Sequence, residues 1–434
     1  MLLEFSAENF RSLRDEQALD LRASATKDLP EVVRHPAGMD AESRGVLPVA
    51  AVFGANASGK SSLFMAADFM RAAVLFSANT AVEGHGELEH VTTFHFDLTR
   101  RDGPVTLRVH FLLAGVRHEY GFVLQPRGAA GKFTRVASEW LRAWPNARAS
   151  DLFLRGQAVV HAGHSEAGER SWWVSEQNFH GGRRLAADLF EQTRDDVLFL
   201  SLASQRNHPS AKPVVAWFND HFYTDGLIHH SPSTVERALA DPGFREYLGR
   251  LLRAADTGIE RVTIEDLSPH DRRPDTRSYR TTTYHRTSEG HEHPLPLRDE
   301  SRGTQRLYEL AGPIHDALQH GRCLWIDELD TAMHHWLVRT LIKLFQDPDS
   351  NPNGAQLLFT THDAAVMDPT LLRRDQIWIV EKDAAQASQL YSLVDIDEKP
   401  RKGQPLFKSF LSGRFGGVPR LDEATILAWP RSRK

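Results

Sequence analysis

The loop Gly54-Ala55-Asn56-Ala57-Ser58-Gly59-Lys60-Ser61 constrains this chain more than any other stretch. It follows the apolar run Val49 to Phe53. It precedes apolar residues at Leu63, Phe64, Ala67, Met70, Ala73 and Val74, close to a 3.6-residue period. The pattern G-x-x-x-x-G-K-S between a strand and a helix is that of a phosphate-binding P-loop. Small residues and two glycines let the backbone curl so that successive N–H groups point inward at phosphate oxygens. The positive end of the following helix adds to that field. Lys60 is expected to reach the β- and γ-phosphates and the Ser61 hydroxyl to ligate Mg2+, with Ser62 next in the same binding run.

Composition narrows what surrounds this loop. The 434 residues suffice for a large two-lobed domain or two to three ordinary ones. With 41% hydrophobic and 25% charged residues, the chain reads as globular rather than disordered. No apolar run is expected to reach the roughly 18–20 residues that span a bilayer. Met1 to Phe5 begins directly as a strand, so no secretion signal is expected. The single cysteine, Cys323, excludes an intrachain disulfide, fits a reducing cytoplasm and reads as inert in a buried strand. A net charge of -5 gives no global pull toward nucleic acid, so any such contact needs a local patch.

Three regions follow from the patterning. Residues 1–144 hold strand-like segments around Glu8 to Ser12, the P-loop, and a β-rich run. That run comprises Phe94 to Phe96, Thr106 to Leu113, Arg117 to Leu124 and Phe133 to Leu141. The gaps between these strands leave no room for helices, which predicts an antiparallel meander. Residues 145–290 are mixed, with helix-like runs at Asp195 to Gln205, Pro213 to Phe222 and Pro242 to Ala255. A polar, His/Arg-rich stretch, Asp271 to Pro296, reads as an exposed hairpin or loop. Residues 291–434 return to helix–strand alternation.

That last region carries the remaining chemistry. Leu324-Trp325-Ile326-Asp327-Glu328 is a short apolar strand ending in two acids, the pattern of a Walker B site. Asp327 would hold Mg2+ through water and Glu328 would polarise an attacking water. A charged tip that merely solvates the strand end is the structural alternative. Glu300-Ser301-Arg302-Gly303-Thr304 opens a helix pattern running into that strand. Ser301 is a candidate N-cap, and a Ser-x-Gly turn at a helix N-terminus is also a phosphate donor. Gln356 to His362 is a second apolar strand; its histidine is either a surface residue or a switch that senses the γ-phosphate. More than half the chain separates Ser61 from Asp327, so a large insertion lies between the halves of the site.

Further motifs are Phe5-Ser6-Ala7-Glu8-Asn9-Phe10-Arg11-Ser12, Tyr120-Gly121-Phe122, Leu198-Phe199-Leu200-Ser201 and the closing Leu411-Ser412-Gly413-Arg414-Phe415-Gly416-Gly417-Val418-Pro419. With the P-loop and the Ser301 turn, they resemble the ABC-type ATPases of the SMC/RecF branch. Within it they look most like the short AAA ATPases of abortive-infection and other phage-defence loci. The resemblance implies an α/β fold: an ABC-type P-loop ATPase head, with a mixed sheet, an antiparallel β subdomain and a partly helical insertion. It implies ATP and Mg2+ as ligands, and Arg11 among the nucleotide contacts. It further implies an ATP-sandwiched homodimer or higher oligomer, in which Lys60 and Asp327 of one subunit face Ser301 and Gly303 of the other. A separate effector protein, such as a nuclease, is implied as partner. Glu300 and Arg302 depart from the Leu and first Gly of the common Leu-Ser-Gly-Gly signature.

Other clusters carry weaker readings. Asp395, Asp397 and Glu381 resemble the acids of a Toprim-like metal site, but the remaining tail is short for that domain. His291-Glu292-His293 lacks a metal-binding partner motif. Arg272, Arg273, Arg277, Arg280 and Arg286, interleaved with Tyr279 and Tyr284, form the best basic patch, interrupted by Asp271 and Asp275. This patch carries the alternative function, a nucleic-acid-binding repair ATPase. Gln125 and Gln205 are the candidates for a Q-loop glutamine.

Overall fold

The computed structural model describes residues 1–39, 42–80, 82–126, 134–146, 148–158, 162, 171–175, 177, 179, 182–224, 233–255, 257–267, 278–396, 405–419 and 422–428. At its centre is a six-stranded sheet. In spatial order its strands are Ser388–Ser392, Ile377–Lys382, Val49–Phe53, Gln356–Thr361, Cys323–Ile326 and Phe222–Tyr223. All neighbours run parallel except the antiparallel edge strand Ser388–Ser392. The P-loop strand Val49–Phe53 is buried along its whole length. Ala50 and Val52 face one core, while Val49, Ala51 and Phe53 face the other. A strand covered on both faces needs this continuous apolar run rather than alternation.

The first core lies between that sheet and a seven-stranded antiparallel sheet. The latter runs in the order Gln17–Asp20, Leu2–Glu8, Val105–Leu113, Val116–Gln125, Arg135–Trp144, Ser150–Gly156 and Trp172–Val174. Phe5, Phe64 and Trp325 meet edge to face here, with ring centroids 5.1 and 5.6 Å from the Trp325 ring. The meander extends past the boundary expected at residue 144, because Ser150–Gly156 pairs with Arg135–Trp144. Phe94 to Phe96, expected as a strand, is a loop. The Phe94 N–H is taken by the Asn9 side chain at 3.2 Å instead of by a neighbouring strand.

The P-loop helix Lys60–Phe76 fills the space between the two sheets. Against the expectation that no apolar run is long enough, Lys60–Asn79 has the length and composition to cross a membrane. Sixty-one per cent of that window is buried within the fold, where its apolar character serves the core.

Glu139 ties the meander to this helix layer. Fully buried, it accepts the N–H groups of Phe199 (2.7 Å) and Leu200 (2.9 Å) and the Tyr120 hydroxyl (3.0 Å). That network gives the Tyr-Gly-Phe and Leu-Phe-Leu-Ser motifs a common structural purpose. Gly121 sits where a Cβ would strike the Trp140 ring.

A third body comprises the helices Ser233–Ala240 and Pro242–Ala254 and a three-stranded sheet, Ile259–Asp266, Tyr279–Arg286 and Glu292–Pro296. The expected boundary at residue 290 therefore falls inside this sheet. Its core includes Phe244, Leu248, Leu252, Ile259 and Val262 together with Leu307, Tyr308 and Ala311 of the helix Arg302–His320. The helix that carries Ser301 at its N-cap thus packs against the insertion along one face.

Candidate functional site

Parallel register brings the motifs to one edge of the central sheet. Phe53 pairs with Thr361 and with Ile379, and Ile326 pairs with Phe359. Gly54, His362 and Asp327 leave these strand ends, and Lys382 ends its own strand beside them. A cavity of about 540 Å³ lies there, lined by the P-loop from Asn56 to Ser62 and by Arg11, Glu328, His362 and Lys382, among others.

The P-loop is clasped from two sides. Ser388 Oγ lies 2.6 Å from the Ser58 carbonyl, and Ser12 Oγ sits 2.8 Å from both Ser388 Oγ and Ser62 Oγ. Gly59, at φ 107°, precedes the helix in a left-handed conformation, and a Cβ there would strike both serine hydroxyls. Behind the loop, the closing motif packs on Gly54: Gly417 has φ 70°, and a Cβ on it would lie 3.7 Å from Gly54 Cα. Tyr391 donates to the Phe415 carbonyl at 2.8 Å, and Gly417 donates to Glu381 at 3.3 Å.

Lys60 is buried, and its Nζ donates to the carbonyls of Gly54 (2.9 Å) and Ala55 (3.0 Å). Burial holds its pKa below the ordinary lysine value, against the attraction of Asp327, Glu328 and Asp330. Among the described residues, the buried Ser58 hydroxyl has no hydrogen-bond partner. A desolvated cation whose hydrogen bonds, among the described residues, go to neutral carbonyls fits an anionic ligand such as a nucleotide phosphate.

Across the cavity, the buried Thr360 hydroxyl donates to Asp327 Oδ1 at 2.6 Å and accepts the Glu328 N–H at 2.7 Å. Glu328 adopts φ 50°, a left-handed turn that ends the strand. Its Oε1 lies 3.7 Å from His362 Nε2, and its Oε2 accepts the Thr331 hydroxyl at 3.2 Å. The His362 N–H donates to Asp330 at 3.2 Å. An acid on the cavity wall, a histidine beside it and a second acid for a cation form a set suited to hydrolysing a phosphoanhydride. The carboxylate and hydroxyl oxygens of Asp327 and Ser61 are hard donors of the kind Mg2+ takes.

Asn9 explains the opening motif. Buried at φ 55°, it donates through Nδ2 to the carbonyls of Arg100 (2.7 Å), Gly103 (3.1 Å) and Pro104 (3.0 Å). It thereby anchors the loop that presents Arg11, whose N–H donates to the Thr92 carbonyl at 2.8 Å, and Ser12 to the cavity. His95 and the 71%-exposed Phe96 stand at the same mouth. No glutamine lines the cavity among the described residues, and Gln125 instead donates to Asp102 at a strand end.

Ser301 and Gly303 are not in this cavity. Ser301 caps its helix, accepting the Thr304 N–H at 3.1 Å, and Gly303 closes on the Ala332 carbonyl, 2.6 Å from where its Cβ would be. Arg302, Gln305, Arg306 and Glu309 line a separate hollow of about 440 Å³ that reaches Asp327 and Glu328.

The weaker clusters resolve into structural contacts. Glu381 is held by Gly417, Asp395 accepts the Ser392 N–H, and Asp397 lies outside the described residues. Glu292 pairs with Arg261 at 2.8 Å. Arg280 lies 3.7 Å from Glu265 and Arg286 3.7 Å from Glu260, so the described part of the basic stretch is charge-matched on its own sheet. Arg272, Arg273 and Arg277 lie outside the described residues.

A P-loop on a central parallel strand, with an acidic pair two strands further along and a histidine at the end of the strand between, defines a P-loop nucleotide-binding protein of α/β architecture. More particularly, the chain belongs to the family described as "AAA domain, putative AbiEii toxin, Type IV TA system", which matches residues 49–159 and 187–368. This bears out the resemblance to AAA proteins of abortive-infection loci. Similar solved structures include an SMC head bound to the C-winged helix domain of ScpA, at 12% identity and TM-score 0.42, covering 90% of this chain and 97% of that one. Another is the SMC head domain from Thermotoga maritima, at 12% identity and TM-score 0.37, covering 90% and 98%. No curated protein matches the chain in sequence.

Proposed function

We propose that this protein binds ATP with Mg2+ in the P-loop cavity and hydrolyses it by in-line attack of water. Glu328 acts as the base, Lys60 stabilises charge on the β- and γ-phosphates, and His362 senses the γ-phosphate. Asp327 and Ser61 would hold Mg2+, which would supply neutralisation of charge on the phosphate oxygens. The N–H groups of Gly54 to Ser62 cradle the phosphates, and Arg11 faces the open side of the cavity. The observation that carries this reading is the convergence of Lys60, Glu328 and His362 on one cavity, with the Asp327–Glu328 pair locked by Thr360.

Ser301 and Gly303 stand apart from that cavity within one chain. In the proposed working form a second copy supplies them, making the protein an ATP-gated dimer or higher oligomer. Its biological role is then that of a sensor or regulator in an abortive-infection or toxin–antitoxin system, acting on a separate effector such as a nuclease. The family description supports this role. For the alternative role in nucleic-acid repair, the described arginines of the basic stretch, Arg280 and Arg286, both face carboxylates.

Mixing experiments test the proposal directly. Glu328→Gln should bind ATP, hydrolyse it about a hundredfold more slowly or less, and accumulate as a dimer in light scattering. Chains carrying Lys60→Met and chains carrying Ser301→Ala should each be inactive alone and regain part of the rate when combined. Wild-type turnover by Glu328→Gln would remove the base assignment, and no recovery on mixing would remove the shared site.

A further inference from the structure

We propose that Glu300 is a positioning residue: its buried carboxylate, gripped by Thr283 and His285 of the inserted sheet, sets the place of Ser301. The inference rests on the reading that Ser301 meets the nucleotide of a second copy. The Glu300 side chain is only 7% exposed. Its Oε1 accepts from His285 Nε2 at 2.6 Å and from the Thr283 hydroxyl, and Thr283 is itself fully buried. Burying a carboxylate at a helix start is unfavourable unless its oxygens are bonded, and an apolar residue would fill the same space without that requirement. The contacts made here are therefore specific ties rather than packing.

Those ties join two bodies. Glu300 immediately precedes the N-cap Ser301, and its carbonyl accepts Gln305 Nε2 at 2.8 Å, closing the turn on itself. Further along, Thr281 and Tyr308 lie 3.1 Å apart between the same strand and the same helix. The strand Tyr279–Arg286 thus holds the first two turns of the Ser301 helix at two points. Any displacement of the inserted sheet is carried to Ser301, while the P-loop, clasped by Ser12 and Ser388, is held independently. The insertion becomes the element through which a second molecule could set the hydrolysis rate without touching the nucleotide.

The test uses the full chain and two readouts, turnover and the affinity of a fluorescent ATP analogue. Glu300→Ala should lower kcat about tenfold or more while leaving nucleotide affinity within about twofold, in the same direction as the larger loss in Ser301→Ala. Glu300→Gln, whose amide oxygen can accept both bonds, should restore turnover. Thr283→Val removes one donor while keeping the side-chain shape, and carries the same test with a smaller loss if Glu300→Ala does not fold. A wild-type kcat in Glu300→Ala beside an inactive Ser301→Ala overturns the proposal. So does a parallel loss of nucleotide affinity, which would mark Glu300 as merely structural. A wild-type kcat in Ser301→Ala would instead overturn the shared-site reading on which it rests.

Discussion

The Thr360 hydroxyl donates to the Asp327 carboxylate at 2.6 Å and accepts the Glu328 backbone N–H at 2.7 Å, so one buried side chain holds the Asp327 carboxyl group and the backbone that carries Glu328. Thr360→Val keeps the shape and removes both bonds. The unsatisfied Glu328 N–H should lower stability by about 1–3 kcal/mol. ATP turnover should fall about tenfold or more as the Asp327 carboxylate and the Glu328 backbone lose their anchor. Thr360→Ser should retain both properties. Denaturant melts and steady-state hydrolysis measure the two effects separately.

Lys60 is a cation placed by the fold where it is least comfortable. Burial depresses its pKa, so folding works against its charge, and bound phosphate reverses that penalty. Lys60→Met should weaken nucleotide binding about tenfold to a hundredfold, the range for lost charge-assisted bonds. The same variant should melt at the wild-type temperature or above it. Calorimetric titration with ATP, paired with thermal melts, would show both; a markedly lowered melting temperature would contradict this account.

Glu139 supports the fold rather than the reaction. Replacing it with Leu leaves the Phe199 and Leu200 N–H groups unbonded, and Arg155, 3.6 Å away, without its acid. The expected loss is about 3–5 kcal/mol, as for a broken buried pair. Glu8→Ala, which breaks a half-exposed pair with Arg100, should cost no more than about 1 kcal/mol. Urea unfolding of the two variants in parallel makes the comparison.

His110 predicts an acid-side slope in stability. Burial, with Arg117, Arg108, Arg22 and Arg142 nearby, lowers its pKa from 6.5 to about 3, outweighing Glu4 and Glu119 at 3.9 and 3.7 Å. The unfolded chain therefore takes up a proton near pH 6.5 that the folded chain refuses until about pH 3. Its contribution is complete above pH 6.5 and is lost progressively as the pH falls toward 3. His110→Gln should flatten that part of the curve in melts taken from pH 7 to pH 4. An unchanged slope would place the acid sensitivity elsewhere.

The sequence was most legible where a motif is contiguous and ends a strand. The P-loop, Asp327-Glu328 and Thr361-His362 could each be read locally, and their strands proved parallel neighbours in register. It was least legible where one side chain serves distant backbone. Nothing near Asn9 shows that it will bond carbonyls at Arg100, Gly103 and Pro104 and divert Phe94 from a strand. Nothing near Ser388 shows that it will brace a loop more than 300 positions earlier, at Ser58. Thr360 looked like one more β-branched residue in an apolar strand, although its place beside Asp327 across neighbouring strands makes it the keystone of the acidic pair.

Taken alone, the sequence determined the candidate groups: a glycine-rich loop, a lysine, two acids and a histidine, each set by short-range spacing and backbone conformation. Tertiary structure decided the geometry among them. Sheet register brought Lys60, Glu328 and His362 to one cavity and left Ser301 outside it, while Glu300 tied that serine to the insertion. Those outcomes depend on hydrogen bonds and burial between residues on different elements, from 15 positions apart for His285 and Glu300 to hundreds for Lys60 and Glu328, which no local pattern encodes.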